Sequence, residues 1–496
     1  MNIRKIMFAA VAALAVTASA ALEKVCVLQI ADASTLAKAV AKLGEISGNQ
    51  MLGAMTAGFF MEPPGSKFFG PMRPESSALL PIYLDPAAVG KEINGNMDID
   101  DDDIGFAVLY PMVISRADFL KRHPGAVETN GIVRVKGGID DDDDEDDEDC
   151  KEFTYVAFSA DGKWACASTE YAFASRALAD ASFADKPFGG DLVRISVEPG
   201  GMAALRKLIA AYTEEAKKNN QPIDKRIVDV FAGFDSMSIG LAIGNAGIDF
   251  KFCAKTVEGT ELAKVGVKTL PADPLAFAGA DALFANSDLG LWNGDAAASW
   301  NAVVSILKRH GIDIATFIAS NFAPDAASLK FDVKALVKYA TGPATNQFAK
   351  IDAEKLFKDF KECKAFDVPL KAADKPQNVA LSIVGFKPKF TASQRFAATF
   401  PEAKGRPLFA ASVMSLSALI QAIVPAVIAE IPEKDRAEAQ PFLAFLPQES
   451  NAGVATMQWR EKDRIRCVFR ISADEIKGIS TAVSAAMAVS MTKQND

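Results

Sequence analysis

The chain predicts an α+β fold of two tandem, related domains, each a mainly antiparallel sheet packed with helices. Three observations lead there. First, segments 193–262 and 408–476 share residues at a fixed offset. Ala204-Leu205, Ile209, Cys253 and Glu261 recur 214 positions later as Ala418-Leu419, Ile423, Cys467 and Glu475. A two-residue adjustment brings Ser196-Val197 onto Ser412-Val413. Self-similarity at a long offset marks a repeated structural unit. Second, both segments read as strand, two helices and hairpin in the same order. Third, strands and helices mix without regular βαβ alternation, which favours antiparallel pairing.

The elements follow in order. Residues 1–20 read as a signal peptide: Arg4 and Lys5 form a positive start, Ile6 to Val16 an apolar stretch, and Ala18-Ser19-Ala20 a small-residue cleavage site. The apolar stretch falls well short of the roughly 20 residues of a membrane-spanning helix. Position 21 is Ala, so no lipid anchor is expected there. The mature chain is expected to be exported, periplasmic or secreted, with domains over 21–272 and 273–496.

Val25–Ile30 reads as a buried strand and Ser34–Ile46 as an amphipathic helix. Met51 to Pro74 is irregular and rich in Gly, Pro, Met and Phe. Ile104–Val113 reads as a strand, and Ser115–Arg122 as a helix stopped by His123-Pro124-Gly125. Phe153–Ser159 and Lys163–Thr169 flank Asp161-Gly162, a strong hairpin signal. On that turn Cys166 faces Ala157, and a cross-strand bridge from Cys166 to Cys150 is disfavoured. Tyr171–Asp180 is helical.

In the first repeat, the strand Leu192–Val197 leads to helices Met202–Lys218 and Ile223–Phe231. The hairpin Met237–Ile243 with Ile248–Thr256 follows. The second repeat gives Leu408–Val413, helices Leu416–Ala429 and Glu433–Phe445, and the hairpin Gly453–Trp459 with Arg464–Ile471. The junction lies at Pro271–Pro274, after which Leu275–Ala285 is expected to open the second domain as a strand, with a helix over Ala296–Lys308. The apolar stretch Ser417–Ile431 contains Pro425, is shorter than a membrane span, and is expected to be a buried helix.

The charge of −9 becomes −11 once Arg4 and Lys5 are removed. Ten acidic residues at Asp140–Asp149 and five more at Asp98 and Asp100–Asp103 account for it; without them the mature chain carries +4. Such runs repel themselves and belong in solvated loops. A basic nucleic-acid footprint is absent, so no nucleic-acid partner is expected. Asp98-Ile99-Asp100-Asp101-Asp102 starts like a calcium loop, but Asp103 stands where the turn needs Gly, and Leu109 where a bidentate Glu belongs. No metal site or cofactor is expected.

No catalytic residue is expected either. His123 and His310 are the only histidines, both ending a Leu-Lys-Arg-His string, where a positive helix end complements the dipole. Two such histidines leave little scope for a zinc site or a Ser-His-Asp triad. Ser305 and Lys308 have the spacing of a serine acyl-enzyme but lack its companion elements. No phosphate-binding glycine loop follows a strand. Phe supplies 33 of the 43 aromatics, with 4 Trp and 6 Tyr, a balance that disfavours sugar stacking.

Among six cysteines, Cys363 and Cys467 are the simplest disulfide pair, since they alone lie in the second expected domain. Phe59, Phe60, Phe68 and Phe69, near Met51, Met55, Met61 and Met72, mark the candidate contact for an apolar ligand or partner. The chain therefore reads as an exported, non-enzymatic binding or interaction protein of the bacterial envelope, taking an apolar ligand or an envelope protein, without a transmembrane helix. The competing reading is a hydrolase whose carboxylate or Ser-Lys site the sequence conceals.

Overall fold

The computed structural model describes residues 23–48, 66–73, 76–84, 104–136, 153–169, 171–179, 190–218, 225–291, 295–323, 326–341, 351–363 and 370–494. Residues 1–20, the acidic runs, Phe59, Phe60 and Cys150 lie outside them. The architecture is mixed α+β with mostly antiparallel strands. It divides into two compact units. The first takes residues 1–43, 51–243 and 251–255; the second takes 44–50, 244–250 and 256–496.

In the first unit, β1 (Glu23–Ile30) is followed by α1 (Ala33–Ser47), α2 (Ser66–Phe69) and β2 (Ala78–Leu84). Then come β3 (Ile104–Phe106), β4 (Val108–Pro111) and α3 (Arg116–Arg122). Next are β5 (Val127–Thr129), β6 (Ile132–Lys136), β7 (Phe153–Phe158), β8 (Trp164–Ser168) and α4 (Tyr171–Ala179). The run ends in β9 (Val193–Val197), α5 (Pro199–Lys218), α6 (Lys225–Ala232), β10 (Phe234–Gly244) and β11 (Gly247–Thr256), of which residues 247–250, Asp249 among them, belong to the second unit.

The β7–β8 hairpin forms around Asp161, whose Oδ1 accepts from Ser159 Oγ at 2.6 Å and from the Lys163 amide at 3.1 Å. Cys166 pairs with Ala157, as the turn predicts. Ser115 caps α3 by accepting the Asp118 amide at 3.1 Å. The central strand β1 pairs antiparallel with β2 on one side and β9 on the other, and β9 pairs with β10. Helix α5 reaches this sheet because position 201 is Gly; a Cβ there would overlap the Val25 carbonyl oxygen.

In the second unit, the short helix α7 (Glu261–Lys264) precedes β12 (Ala282–Asp288). The strand expected from Leu275 begins only at Ala282. The Leu275 amide donates to Asp273 Oδ1 at 3.2 Å and Ala278 bonds back to Leu275 at 3.0 Å, which folds the preceding residues into a turn. Helix α8 (Ala296–Arg309) then leads to β13 (Ile318–Phe322), β14 (Ala327–Phe331), α9 (Val333–Thr341), α10 (Ala353–Lys361), β15 (Gln377–Ile383) and α11 (Ala392–Thr399). The chain closes with β16 (Leu408–Met414), α12 (Leu416–Glu430), α13 (Glu433–Ala439), β17 (Val454–Glu461), β18 (Arg464–Ser472) and α14 (Ala473–Gln494).

Here β12 is central, antiparallel to β15 and β16, and β16 continues to β17 and β18. β14 joins β15 in parallel. The apolar helix α12 forms with Pro425 inside it, yet only Ser417, Ala418, Ala422 and Ile428 are buried. Its remaining apolar residues are half-buried, apart from the exposed Ala429, so it is less enclosed than its composition predicts. Among the described residues, no helix is long and apolar enough to cross a membrane.

Candidate functional site

Three constellations stand out, two of them in the second unit. The first is a largely buried ionic network. Arg395 on α11 is completely buried, and its Nη2 donates to Glu449 Oε1 at 2.5 Å. Glu449 also accepts the Lys389 amide at 2.8 Å and the Phe390 amide at 3.3 Å. Burial lowers the Arg395 pKa, and the hydrogen bond and charge of Glu449 oppose that effect.

Arg470 on β18 forms a two-pronged pair with Asp249, at 2.6 and 2.8 Å, and reaches Glu402 at 2.9 Å. Burial works against this cation, but the two carboxylates outweigh it and hold its pKa above the ordinary range. Fork-shaped contacts of this kind are the strong form of a charged hydrogen bond.

Glu475 opens α14 with a fully buried side chain. Its oxygens accept from Ser415 Oγ and from the Ser417 amide, both at 3.0 Å. Desolvation raises the Glu475 pKa, opposed by these bonds from the start of α12. A hydroxyl donating to a carboxylate resembles an activated nucleophile. Ser415, however, has zero exposure, and its Oγ also accepts the Ala418 amide at 3.2 Å as the cap of α12. No substrate reaches it, and the network serves to lock α12 and α14 together.

The second constellation is a sheet face in the first unit. Register places Leu80, Leu28, Ile195 and Ile239 in one row across β2, β1, β9 and β10. Leu80 is buried, Leu28 and Ile195 are half-buried, and Ile239 is 43% exposed. Leu80 and Leu28 pack into the core around Leu36 and Tyr110, and Ile195 packs against Met202 and Leu205, so only the Ile239 end of the row is open to apolar material.

The third is the corresponding face of the second unit, built of polar residues. Gln377, Asp288, Ala410 and Gln458 form one row, and Val379, Asn286, Ser412 and Thr456 the next. On β12, β16 and β17 alternate residues are sealed, and α11 packs against those same three strands. Asn286, Asp288, Ser412, Thr456 and Gln458 on the opposite face are half-buried. Burial raises the Asp288 pKa, opposed by a 2.6 Å bond from the Gly290 amide.

Of the residues singled out in the sequence, Phe68, Phe69 and His123 come together, in the core and not at a site. Phe68 and Phe69 are 8% and 0% exposed and pack with Tyr110, Phe119 and His123 in the core of the first unit. They stabilise that core and offer little surface to a partner. His123 ends α3 with its Nε2 3.3 Å from the Phe68 carbonyl, and His310 ends α8 with its Nε2 3.1 Å from Asp359. Ser305 and Lys308 are exposed, and the Lys308 ammonium pairs with Asp313 at 3.0 Å. A lysine acting as a base needs desolvation, which this one lacks.

Cys26, Cys166, Cys253, Cys363 and Cys467 are free thiols in the structure. Among the described residues, no group of three His, Cys, Asp or Glu side chains is arranged to hold a metal ion. The polar face eluded the sequence because its members are spread from Asn286 to Gln458 and only strand register aligns them. Comparison of the chain with protein-family models, with curated proteins and with solved structures gives no match.

Proposed function

We propose that the chain is an exported, non-enzymatic binding protein of the bacterial envelope, built from two related α+β units. Its first unit takes an apolar ligand or an apolar protein surface at the exposed end of its apolar sheet row, around Ile239. The observation that carries this reading is the row Leu80–Leu28–Ile195–Ile239, apolar throughout, which runs from the core to the exposed Ile239. Export rests on the composition of residues 1–20.

The relation between the units is supported by their pairing. The order β2–β1–β9–β10 in the first unit has its counterpart in β15–β12–β16–β17 in the second, antiparallel at every step. A helix follows the central strand in both, and two helices follow the next strand in both. Leu205 is buried on α5, and Leu419 packs half-buried against a core cluster on α12.

Titration with an environment-sensitive naphthalene dye tests the binding role. Ile239→Glu should weaken dye binding about tenfold, a loss of roughly 1.4 kcal/mol, without lowering the melting temperature. Unchanged dye binding in that variant would remove the basis for the reading.

A further inference from the structure

We propose that the open sheet face of the second unit is a binding site for a small ligand carrying a primary amine and further hydrogen-bonding groups. Asp288 supplies the counter-charge, with Asn286, Ser412, Thr456 and Gln458 as hydrogen-bonding partners. This site is separate from the apolar face of the first unit and does not depend on the reading of that face.

Matching register shows how unusual these residues are for their positions. The Leu289 amide bonds to the Phe409 carbonyl as the Ala31 amide bonds to that of Leu192. Asp288 and Asn286 therefore occupy the places held by Ile30 and Leu28 on β1. By the same register Ser412 stands where the first unit has Ile195, one residue away from the Ser196 that the sequence match sets against it, Thr456 where it has Ile239, and Gln458 where it has Leu241. Five apolar positions of one sheet have become five polar positions of the other, all on the same face.

These groups are available for a ligand. Among the described residues, the side chains of Asn286, Ser412, Thr456 and Gln458 make no hydrogen bond, and Asp288 makes no ion pair. The one hydrogen bond to the Asp288 carboxylate comes from the Gly290 amide. A sheet face turned to bulk water commonly carries exposed, charged side chains; apart from Asp288 these are neutral, and all are half-buried. A partly desolvated carboxylate without a cation gains from having one brought to it. Strand spacing makes the patch about 10 Å across and about 7 Å along, the footprint of a small molecule.

Isothermal titration calorimetry of the full chain with putrescine, against 1,4-butanediol as its uncharged counterpart, tests the assignment. Putrescine should bind, and the diol at least about tenfold more weakly. Asp288→Asn should weaken putrescine by at least about tenfold. The near-isosteric Thr456→Val should weaken it about threefold with an unchanged melting temperature. Ile239→Glu should leave putrescine binding intact, so failure of the apolar face and failure of this site are read separately. No heat with putrescine, equal binding of the diol, or full binding by both Asp288→Asn and Thr456→Val would overturn the proposal.

Discussion

The Glu475 carboxylate caps α12 from the first turn of a different helix: its Oε2 accepts the Ser417 amide at 3.0 Å. Helix N-termini leave backbone donors unpaired, and here a buried carboxylate takes one while Ser415 takes the next. The two helices are therefore coupled through one ionisable group.

That group sets a pH dependence whose sign follows from its surroundings. Burial raises the folded-state pKa of Glu475 above its unfolded value. Between the two values the folded chain holds more proton than the unfolded chain, so stability falls as pH rises through that window. The contribution is fully present below the unfolded value and lost above the folded one. Glu475→Gln, which resembles the protonated acid, should flatten this part of the profile. Urea unfolding of both proteins across the acid range measures it; parallel profiles would refute the assignment.

Arg395 should be among the least replaceable side chains in the second unit. Arg395→Met leaves the Glu449 carboxylate buried without its cation, at a cost of about 3–5 kcal/mol. Adding Glu449→Gln should recover part of that loss, since the stranded charge is then gone. Denaturant midpoints of the two variants give the comparison.

Gly201 should not tolerate even a methyl group. A Cβ would overlap the Val25 carbonyl, so α5 must shift on its sheet, at a cost of about 1–3 kcal/mol. A melting curve for Gly201→Ala should show a lower midpoint, whereas Gly200→Ala, whose Cβ position is open, serves as the control.

Thiol labelling should separate the cysteines. Burial pushes the Cys26 thiol up to about 12 and the Cys467 thiol up to about 11, and raises Cys166 as well. Thiolate is the reactive form, so in the native chain at pH 8 a maleimide should modify Cys253 and Cys363 at least about tenfold faster than Cys26 or Cys166. Mass mapping of peptides after a timed quench reads the order.

How much of this the sequence revealed depended on whether the signal was local. The β7–β8 hairpin was legible because Asp161-Gly162 dictates its own turn, and register followed down to Cys166 opposite Ala157. Helix α3 was legible from Ser115 and the breaker after Arg122. The role of Phe68 and Phe69 was not, since a Met- and Phe-rich segment has the same composition whether it lies on the surface or, as here, against Phe119. Ser412 and Thr456 look ordinary in their own strands; only pairing with each other and with Asn286 gives them a shared face.

The placement of β1 has a consequence for how the chain is made. Its partner β2 is synthesised some fifty residues later, but β9, its other neighbour, begins only at Val193. During vectorial synthesis one edge of an apolar strand therefore remains open for most of the emergence of the first unit. Closing such a distant contact is slow, and an unpaired edge is a template for wrong pairing. The nascent chain consequently has its greatest need of a chaperone before β9 emerges, and truncations ending short of Val193 should aggregate.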